Sequence, residues 1–358
     1  MIEKNGIEKI MAGYDKKNIT LATLCSHSSL QIFKGAKDEG FKTLGIRVGE
    51  DKYVYDAFPL SKPEEFMVLG EFKEIGEFEK QLTEKNTVLI PHGSLIEFVG
   101  ERIKDLAVPI TGNRKALIWE SDRKKMAQWI KKAGLNTPRI LKPDEIDVPC
   151  IVKLPGAKGG KGYFTVKDTA EFEEKIVKMK ISEETLKRIF IQEYMVGIRF
   201  YPHFFYSPLE KDGYRVGEGR LELLGMDRRV ETNIDEIYRA NAFRLFREPS
   251  FAVVGNESVV ARESLLDKIL TIGKNTVEAS VKLFGGIPGP FCVEMICDED
   301  FNFHVFEISS RIVAGTNLYP EGSPYSQYVF EEHMSMGRRI AREVKTAVKQ
   351  DALEKIIY

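Results

Sequence analysis

One short stretch restricts the fold of this chain more than any other. Ile151 to Phe164 reads Ile-Val-Lys-Leu-Pro-Gly-Ala-Lys-Gly-Gly-Lys-Gly-Tyr-Phe. A β-favouring run enters a loop rich in glycine and lysine, and a second β-favouring run leaves it. Glycine lets the backbone turn its N–H groups inward and lysine supplies compact positive charge, so such a loop suits a polyphosphate. A P-loop would continue Gly-Lys-Ser/Thr after the four residues that follow Gly156, whereas Lys161 stands there. A dinucleotide fingerprint would be followed by a helix, and no helix signal follows these glycines. A basic, solvated hairpin is the plain alternative.

At 358 residues the chain is too long for one simple core and should form two or three packed domains. Its formal net charge of −1 leaves no global field for nucleic acid or an anionic membrane, so the partner should be a small molecule met at a local patch. Cys25, Cys150, Cys292 and Cys297 include no CxxC pair and read as reduced thiols in a cytoplasmic protein. The histidines do not cluster with them, which argues against zinc. Met1 to Lys17 has no apolar signal-peptide core, and no apolar run approaches the roughly 18 residues of a membrane helix.

The first part of the chain alternates strand and helix: Ile19–Leu24, a helix over Ser28–Gly40, then strands Thr43–Val48, Glu65–Leu69 and Thr87–Pro91. This rhythm predicts an open parallel sheet. Arg114–Ala133 reads as one long helix. From Cys150 the strands become antiparallel in character: Val148–Lys153 and Gly162–Val166 flank the glycine loop, then come a helix over Glu171–Arg188 and strands Phe190–Val196, Phe200–Tyr206 and Leu221–Met226. Leu265–Leu283 and Met336–Leu353 read as helices, Phe291–Ile296 and Asn302–Ile308 as a hairpin, and Lys211–Gly219 as an exposed loop.

The hairpin carries Glu294 and Glu307 within apolar strands. If they pair across the ladder, with Ile296 facing Val305, two adjacent carboxylates repel and invite a cation. Magnesium or manganese bridging to phosphate would relieve this, the alternative being incidental surface acids. Phe190-Ile-Gln-Glu-Tyr-Met-Val196 looks like the strand on which ATP-grasp proteins lay adenine. The backbone of Tyr194 and Val196 would then read the purine edge and Glu193 would accept from its amine. A plain core strand fits these residues equally. Glu231 could accept from a ribose hydroxyl or be a solvated acid beside arginines. Cys25-Ser-His-Ser-Ser29 joins a strand end to a helix start, where free N–H groups attract phosphate and Ser26, His27 and Ser28 add donors. An ordinary helix cap is the alternative. Pro91-His-Gly-Ser94 forms a second such turn, in which His92 could be purely structural. Two such turns at neighbouring strand ends are where an open α/β sheet binds ligands.

Taken together, these residues resemble the archaeal formate-dependent FAICAR synthetase family of ATP-grasp ligases, almost end to end. The likeness rests on Ser26-His-Ser-Ser-Leu30, Pro91-His-Gly-Ser94, Gly112-Asn-Arg114, Trp119-Glu-Ser121, Lys153 to Gly162, Leu223-Leu-Gly-Met-Asp227, Arg262-Glu-Ser-Leu-Leu266, Gly289-Pro-Phe-Cys292 and Ser335 to Arg342. Departures from the family pattern are Cys25 before Ser-His, Glu294 where glutamine can stand, and Ser309 where many ATP-grasp enzymes carry asparagine.

The resemblance implies an ATP-grasp fold, mixed α/β and α+β, preceded by an open parallel-sheet, Rossmann-like domain. Residues 1–113 would bind the ribonucleotide phosphate, 114–200 would form a linker helix and small lobe with a glycine-rich lid, and 201–358 the lobe with the magnesium hairpin. It implies an ATP-dependent C–N ligase that formylates 5-aminoimidazole-4-carboxamide ribonucleotide through formyl phosphate. Ser26, His27, Ser28, Ser94 and Asn256 would hold the ribonucleotide. Lys153, Lys158, Gly159, Gly160, Lys161, Gly162, Glu193, Tyr194, Val196 and Glu231 would hold ATP. Lys153 and Arg311 would act in catalysis, and Glu294 and Glu307 would bind Mg²⁺ or Mn²⁺. Formate, the ribonucleotide and ATP are the expected partners, with a homo-oligomeric assembly. Rival readings are a paralogous ligase joining another acid and amine, or a nucleotide-binding regulator without catalysis.

Overall fold

A computed structural model describes residues 2–49, 53–155, 162–232 and 250–358. Three sheets organise them. In the first, β1 (Thr20–Leu24), β2 (Lys42–Val48), β3 (Glu65–Leu69) and β4 (Thr87–Leu89) lie in the order β3-β2-β1-β4, all parallel. Every residue of β1 is buried, as expected for the centre of a sheet covered on both faces. The carboxyl ends of β1 and β4 carry the two serine- and histidine-containing turns.

The second sheet is antiparallel. It orders β5 (Ile140–Leu141), β6 (Cys150–Lys153), β7 (Tyr163–Val166) and β8 (Phe190–Glu193) as β5-β8-β6-β7. Lys153 pairs with Tyr163, so β6 and β7 bracket the glycine loop, whose residues 156–161 lie outside the described part. The third sheet, of six strands, contains β9 (Ile198–Ser207), β10 (Arg215–Val216), β11 (Gly219–Glu231), β12 (Val253–Ser258), β13 (Gly289–Cys297) and β14 (Phe303–Ser309). Its order is β10-β11-β9-β13-β14, with β12 also on β11. The long helix Leu266–Phe284 and the helix Arg123–Lys132 pack with its apolar face in one core, in which the buried Trp129 donates its indole N–H to Thr276 O at 3.0 Å.

Four sequence expectations change in detail. The helix read over Arg114–Ala133 is two, Arg114–Ser121 and Arg123–Lys132, because Asp122 turns extended and its carboxylate accepts from the N–H groups of Lys124 and Lys125. The helix read over Glu171–Arg188 stops after Thr169–Lys178. A left-handed Lys180 follows, and Ser182 caps a short second turn, Glu183–Leu186. The loop Lys211–Gly219 is not wholly exposed, since it contains β10 and buries Val216. In the acidic hairpin Glu294 does face Glu307, but Met295 faces Val305 and Ile296 faces His304. Phe306 is the extra residue of a β-bulge, which shifts the register beyond the acidic pair.

The chain returns to its start. The helix Met336–Lys349 lies against the helix Ser29–Asp38, and residues of both termini share one core with β1 and β4. The two helices touch through backbone: a Cβ on Gly35 would stand 2.1 Å from Arg338 N, and one on Gly337 2.2 Å from Gln31 O. Beside this crossing Glu39, buried at the end of the first helix, accepts from Arg338 at 2.8 Å, from Lys345 at 3.2 Å and from Arg342. Burial alone would raise the Glu39 pKa, but these cations outweigh it and lower it to about 2. A depressed folded-state pKa contributes stability above pH 4.5 that is lost as pH falls toward 2. Glu39→Gln should therefore cost on the order of 2 kcal/mol at pH 7, tempered by the partial exposure of the cations. It should also flatten the pH dependence of stability between pH 4.5 and 2. Urea unfolding of both proteins across that range measures it, and parallel curves would remove Glu39 from the account.

Candidate active site

The third sheet has one polar face, built by strands whose side chains alternate. From β11 it receives Asp227, Arg229 and Glu231; from β9, Arg199, Tyr201 and His203; from β13 and β14, Glu294 and Glu307. Each charge has a neighbour. Arg229 grips Glu294 with both nitrogens, at 2.8 and 2.6 Å, while its guanidinium lies 4.1 Å from the centre of the Tyr201 ring. Arg199 pairs with Glu231. Asp227 accepts from Asn256 Nδ2 at 2.7 Å and lies 2.7 Å from His203 Nε2.

This face floors a cavity of about 600 Å³. The small lobe forms one wall with Lys153, Gln192 and Tyr194, and the turns of the parallel sheet form the other with His27 and Gly93. Lys153 is buried, donates to Gln192 Oε1 at 3.2 Å and has Tyr163, Phe190 and Phe306 ring centres within 5.9 Å. Burial pushes its pKa down, while Glu307 opposite partly restores it. Glu307 is half-buried on the cavity wall. Loss of water and the adjacent Glu294 raise its pKa to about 7.

At the far wall His27 packs against Gly93, where a Cβ would come 2.6 Å from its Nε2 and 3.7 Å from the Arg311 guanidinium carbon. Burial, then His92, Arg311 and Arg229, lower the His27 pKa to about 3, so the ring is neutral. His92 is structural: it is fully buried, accepts from Ser94 N–H at 3.2 Å and meets Leu24 O at 2.9 Å. A backbone bridge from His92 to Ile312 ties this turn to the segment bearing Arg311. Arg311 itself is held by Glu120 at 3.0 Å, a buried carboxylate that also accepts from Ser310 N and Oγ at 2.7 and 3.0 Å.

Of the residues singled out from sequence, His27, Lys153, Glu193, Tyr194, Glu231, Asn256, Glu294, Glu307 and Arg311 line this one cavity. Ser26 and Ser94 bond each other at 2.8 Å just behind His27, and Ser28 is buried with a left-handed backbone at φ 67°. Val196 is 82% exposed and lies just beyond the lining, next to Tyr194 and Met195, which belong to it. The Tyr194 N–H is already given to Pro149 O at 2.8 Å, and Glu193 is paired with Arg139 at 3.3 Å. Gly162 opens β7 at φ 77°, while Lys158, Gly159, Gly160 and Lys161 lie outside the described residues. Sequence reasoning missed Arg229 and Asp227, though stepping back by two from Glu231 along one strand finds both. It also missed Glu120, whose partner is distant in sequence.

The donor set suits a small divalent cation that keeps phosphate ligands. Two facing carboxylates, one with a raised pKa, have a charge conflict that a cation would relieve, and one or two carboxylates are what Mg²⁺ uses beside phosphate. In this arrangement Arg229 relieves part of it. Among the described residues no cluster of three or more ligating side chains exists.

A parallel sheet followed by a small antiparallel lobe and a larger sheet, with the cavity between, defines an ATP-grasp ligase fold. Among solved structures, the chain is similar to an IMP biosynthesis protein PurP from Thermococcus kodakaraensis, at 28% identity and TM-score 0.73, over 94% of this chain and 100% of that one. It shares the fold alone with the ADP complex of purK, an N5-carboxyaminoimidazole ribonucleotide synthetase, at 12% identity and TM-score 0.64, covering 91% and 76%. Residues 21–141 match the family described as a protein of unknown function (DUF1246), and 168–358 that described as a domain of unknown function (DUF1297). Proteins called 5-formaminoimidazole-4-carboxamide-1-(beta)-D-ribofuranosyl 5'-monophosphate synthetase are 49% identical in Methanothrix thermoacetophila and 47% in Methanococcoides burtonii, each over 100% of both chains. The one from Archaeoglobus fulgidus is 42% identical over 99% of both. The chain belongs to this synthetase family.

The raised Glu307 pKa has a sign that can be measured. A carboxyl raised from 4.5 to about 7 leaves stability undiminished below pH 4.5 and costs stability progressively as pH rises through 7. Glu307→Gln, which keeps the shape of the protonated acid, should match the ligand-free parent near pH 4.5. At pH 8 it should exceed the parent by on the order of 2 kcal/mol. Urea midpoints at the two pH values check this, and no gain at pH 8 would contradict the charge conflict.

Proposed function

We propose that this chain formylates the 5-amino group of 5-aminoimidazole-4-carboxamide ribonucleotide, using ATP and formate, as an ATP-dependent C–N ligase. One observation carries the reading: a single cavity joins a buried lysine on the small lobe, a facing carboxylate pair, a held arginine and a neutral histidine at the parallel-sheet turns. That sequence of groups matches what the reaction requires from end to end. The full-length likeness to synthetases named for the formylated product supports the choice of substrate.

In this reading residues 1–113 hold the ribonucleotide, 114–200 cover ATP, and 201–358 supply the reacting centre. A formate oxygen bonds the γ-phosphorus of ATP as the bond to ADP breaks, which yields formyl phosphate. The amine nitrogen then bonds the formyl carbon, the carbon–oxygen bond to phosphate breaks, and the amine loses one proton as phosphate departs. Lys153 and Arg311 stabilise the transferring phosphoryl charge, and Glu120 fixes Arg311 in place. Glu294 and Glu307 would hold a divalent cation, which when bound neutralises phosphate charge. An aromatic amine is a weak nucleophile, so much of the rate must come from His27 and Asn256 holding it against the acyl carbon. No covalent protein nucleophile is required. Burial raises the pKa of all four thiols, which suits none of them to that role.

Incubation with ATP, labelled formate and the ribonucleotide should give the labelled formamide by mass spectrometry, together with stoichiometric ADP and phosphate. Product with another small carboxylate but none with formate would assign a different acid. Glu307→Ala should remain folded and lose turnover by about 100-fold or more. Near-normal ADP formation by that variant would sink the proposed role of the carboxylate pair.

A further inference from the structure

The charges on the floor of the cavity do different work at its two ends. Arg229 and Glu231 are held by partners of opposite sign, whereas Asp227 is held by two uncharged or titratable groups, His203 and Asn256. Asp227 and His203 are each 1% exposed, and only Asn256 of the three reaches the cavity. Asp227 sits where a Cβ on Gly315 would approach its Oδ1 to 2.2 Å, so glycine is needed opposite it. The carboxylate is clamped in place by fit as well as by hydrogen bonds.

This clamp has a chemical consequence. An ionised carboxylate can only accept hydrogen bonds, so Asn256 must turn its NH₂ group toward Asp227. The amide cannot flip without placing its own oxygen against the carboxylate. Its Oδ1 is thereby committed as an acceptor on the other side. Asn256 also stands directly opposite Arg229, the cation that grips Glu294, across β11 and β12.

We infer that His203 and Asp227 are positioning residues, which lock the amide of Asn256 so that the cavity presents an acceptor to an N–H group of the ribonucleotide. His203 acts through Asp227 and Asp227 through Asn256. The chain gives discrimination as well as affinity, because a ligand with an oxygen where the aminoimidazole carries N–H would face an acceptor that cannot turn away. The inference rests on the formylation reading above for the identity of the ligand.

Three variants test it: Asp227→Asn, Asn256→Asp, and the double exchange. In Asp227→Asn the amide of residue 256 is free to flip. In Asn256→Asp two carboxylates meet and repel. The exchange restores one carboxylate and one amide, and its carboxylate still presents an oxygen to the cavity. Titration of the full-length protein with the ribonucleotide should show each single variant weakened by about tenfold or more, the scale of one lost or misdirected hydrogen bond. The double variant should recover to within about threefold of the parent, and ATP affinity should change less than about twofold throughout. Parental ribonucleotide affinity in the single variants, a double variant no better than the worse single, or equal loss of ATP and ribonucleotide would each overturn the positioning role. Should Asp227→Asn fail to fold, Asn256→Asp against the exchange carries the same comparison. A parent protein that binds no ribonucleotide would instead overturn the formylation reading and this inference with it.

Discussion

Two carboxylates placed directly opposite each other on an antiparallel ladder are a liability that the surrounding structure is arranged to hold. Glu294 and Glu307 cannot both be ionised at low cost in a half-dry site. Arg229 takes up Glu294 from below, Lys153 faces Glu307 from the small lobe, and Arg311 stands at the far side under the control of Glu120. Two cations from different sheets, Arg229 and Lys153, therefore act on one acidic pair, with Arg311 and its partner Glu120 close by. The small lobe and the large sheet each supply part of the balance, through Lys153 and Arg229. These cations offset the conflict only in part, since burial and Glu294 still hold the Glu307 pKa above its ordinary value.

The return of the chain explains how the turns of the parallel sheet can be placed with such accuracy relative to the large sheet. The helix Met336–Lys349 buries its apolar side with Ile7, Leu21 and Ile32, while its polar partners include Glu222 on β11. Arg339, almost fully buried, joins Glu222 and Glu343 and stacks 4.1 Å from the Phe205 ring centre. One helix thus touches the first and third sheets at once. The glycine contact at Gly35 and Gly337 leaves no slack between helices. A shift of the parallel sheet would have to drag this helix, and with it the strand bearing Asp227 and Arg229.

Much of this was legible in the residues, and the failures have a common cause. The parallel strands, the glycine loop between two β runs and the facing of Glu294 with Glu307 all followed from local pattern. Helix lengths failed at Asp122 and Lys180 because a single capping or left-handed residue can end a helix whose apolar spacing continues. The register beyond Glu294 failed because a bulge at Phe306 leaves no mark in hydrophobic alternation. The strand read over Phe190–Val196 stops at Glu193, and Val196 beyond it is exposed. Glu120 and Arg229 were overlooked for a different reason: their meaning lies in partners about 190 and 65 residues away, at Arg311 and Glu294. Alternation along Asp227-Arg-Arg-Val-Glu231 carried the signal for one of them, since charged residues two apart on a buried strand must share a face.

The histidines show why position and charge have to be read together. His27 and His92 lie 4.7 Å apart, ring centre to ring centre, yet only His27 reaches the cavity. His92 has both nitrogens engaged, one accepting from Ser94 N–H, which leaves the other to donate to Leu24 O; its neutral tautomer is fixed by the backbone. His27, next to it, is kept neutral by burial and by the arginines of the reacting centre. With this wall neutral, Arg311 and Arg229 are the cations nearest His27 that line the cavity. In the reading proposed above, the uncharged polar groups of the cavity, His27 at that wall and the amide of Asn256 on β12, would select by hydrogen-bond direction what the arginines attract by charge.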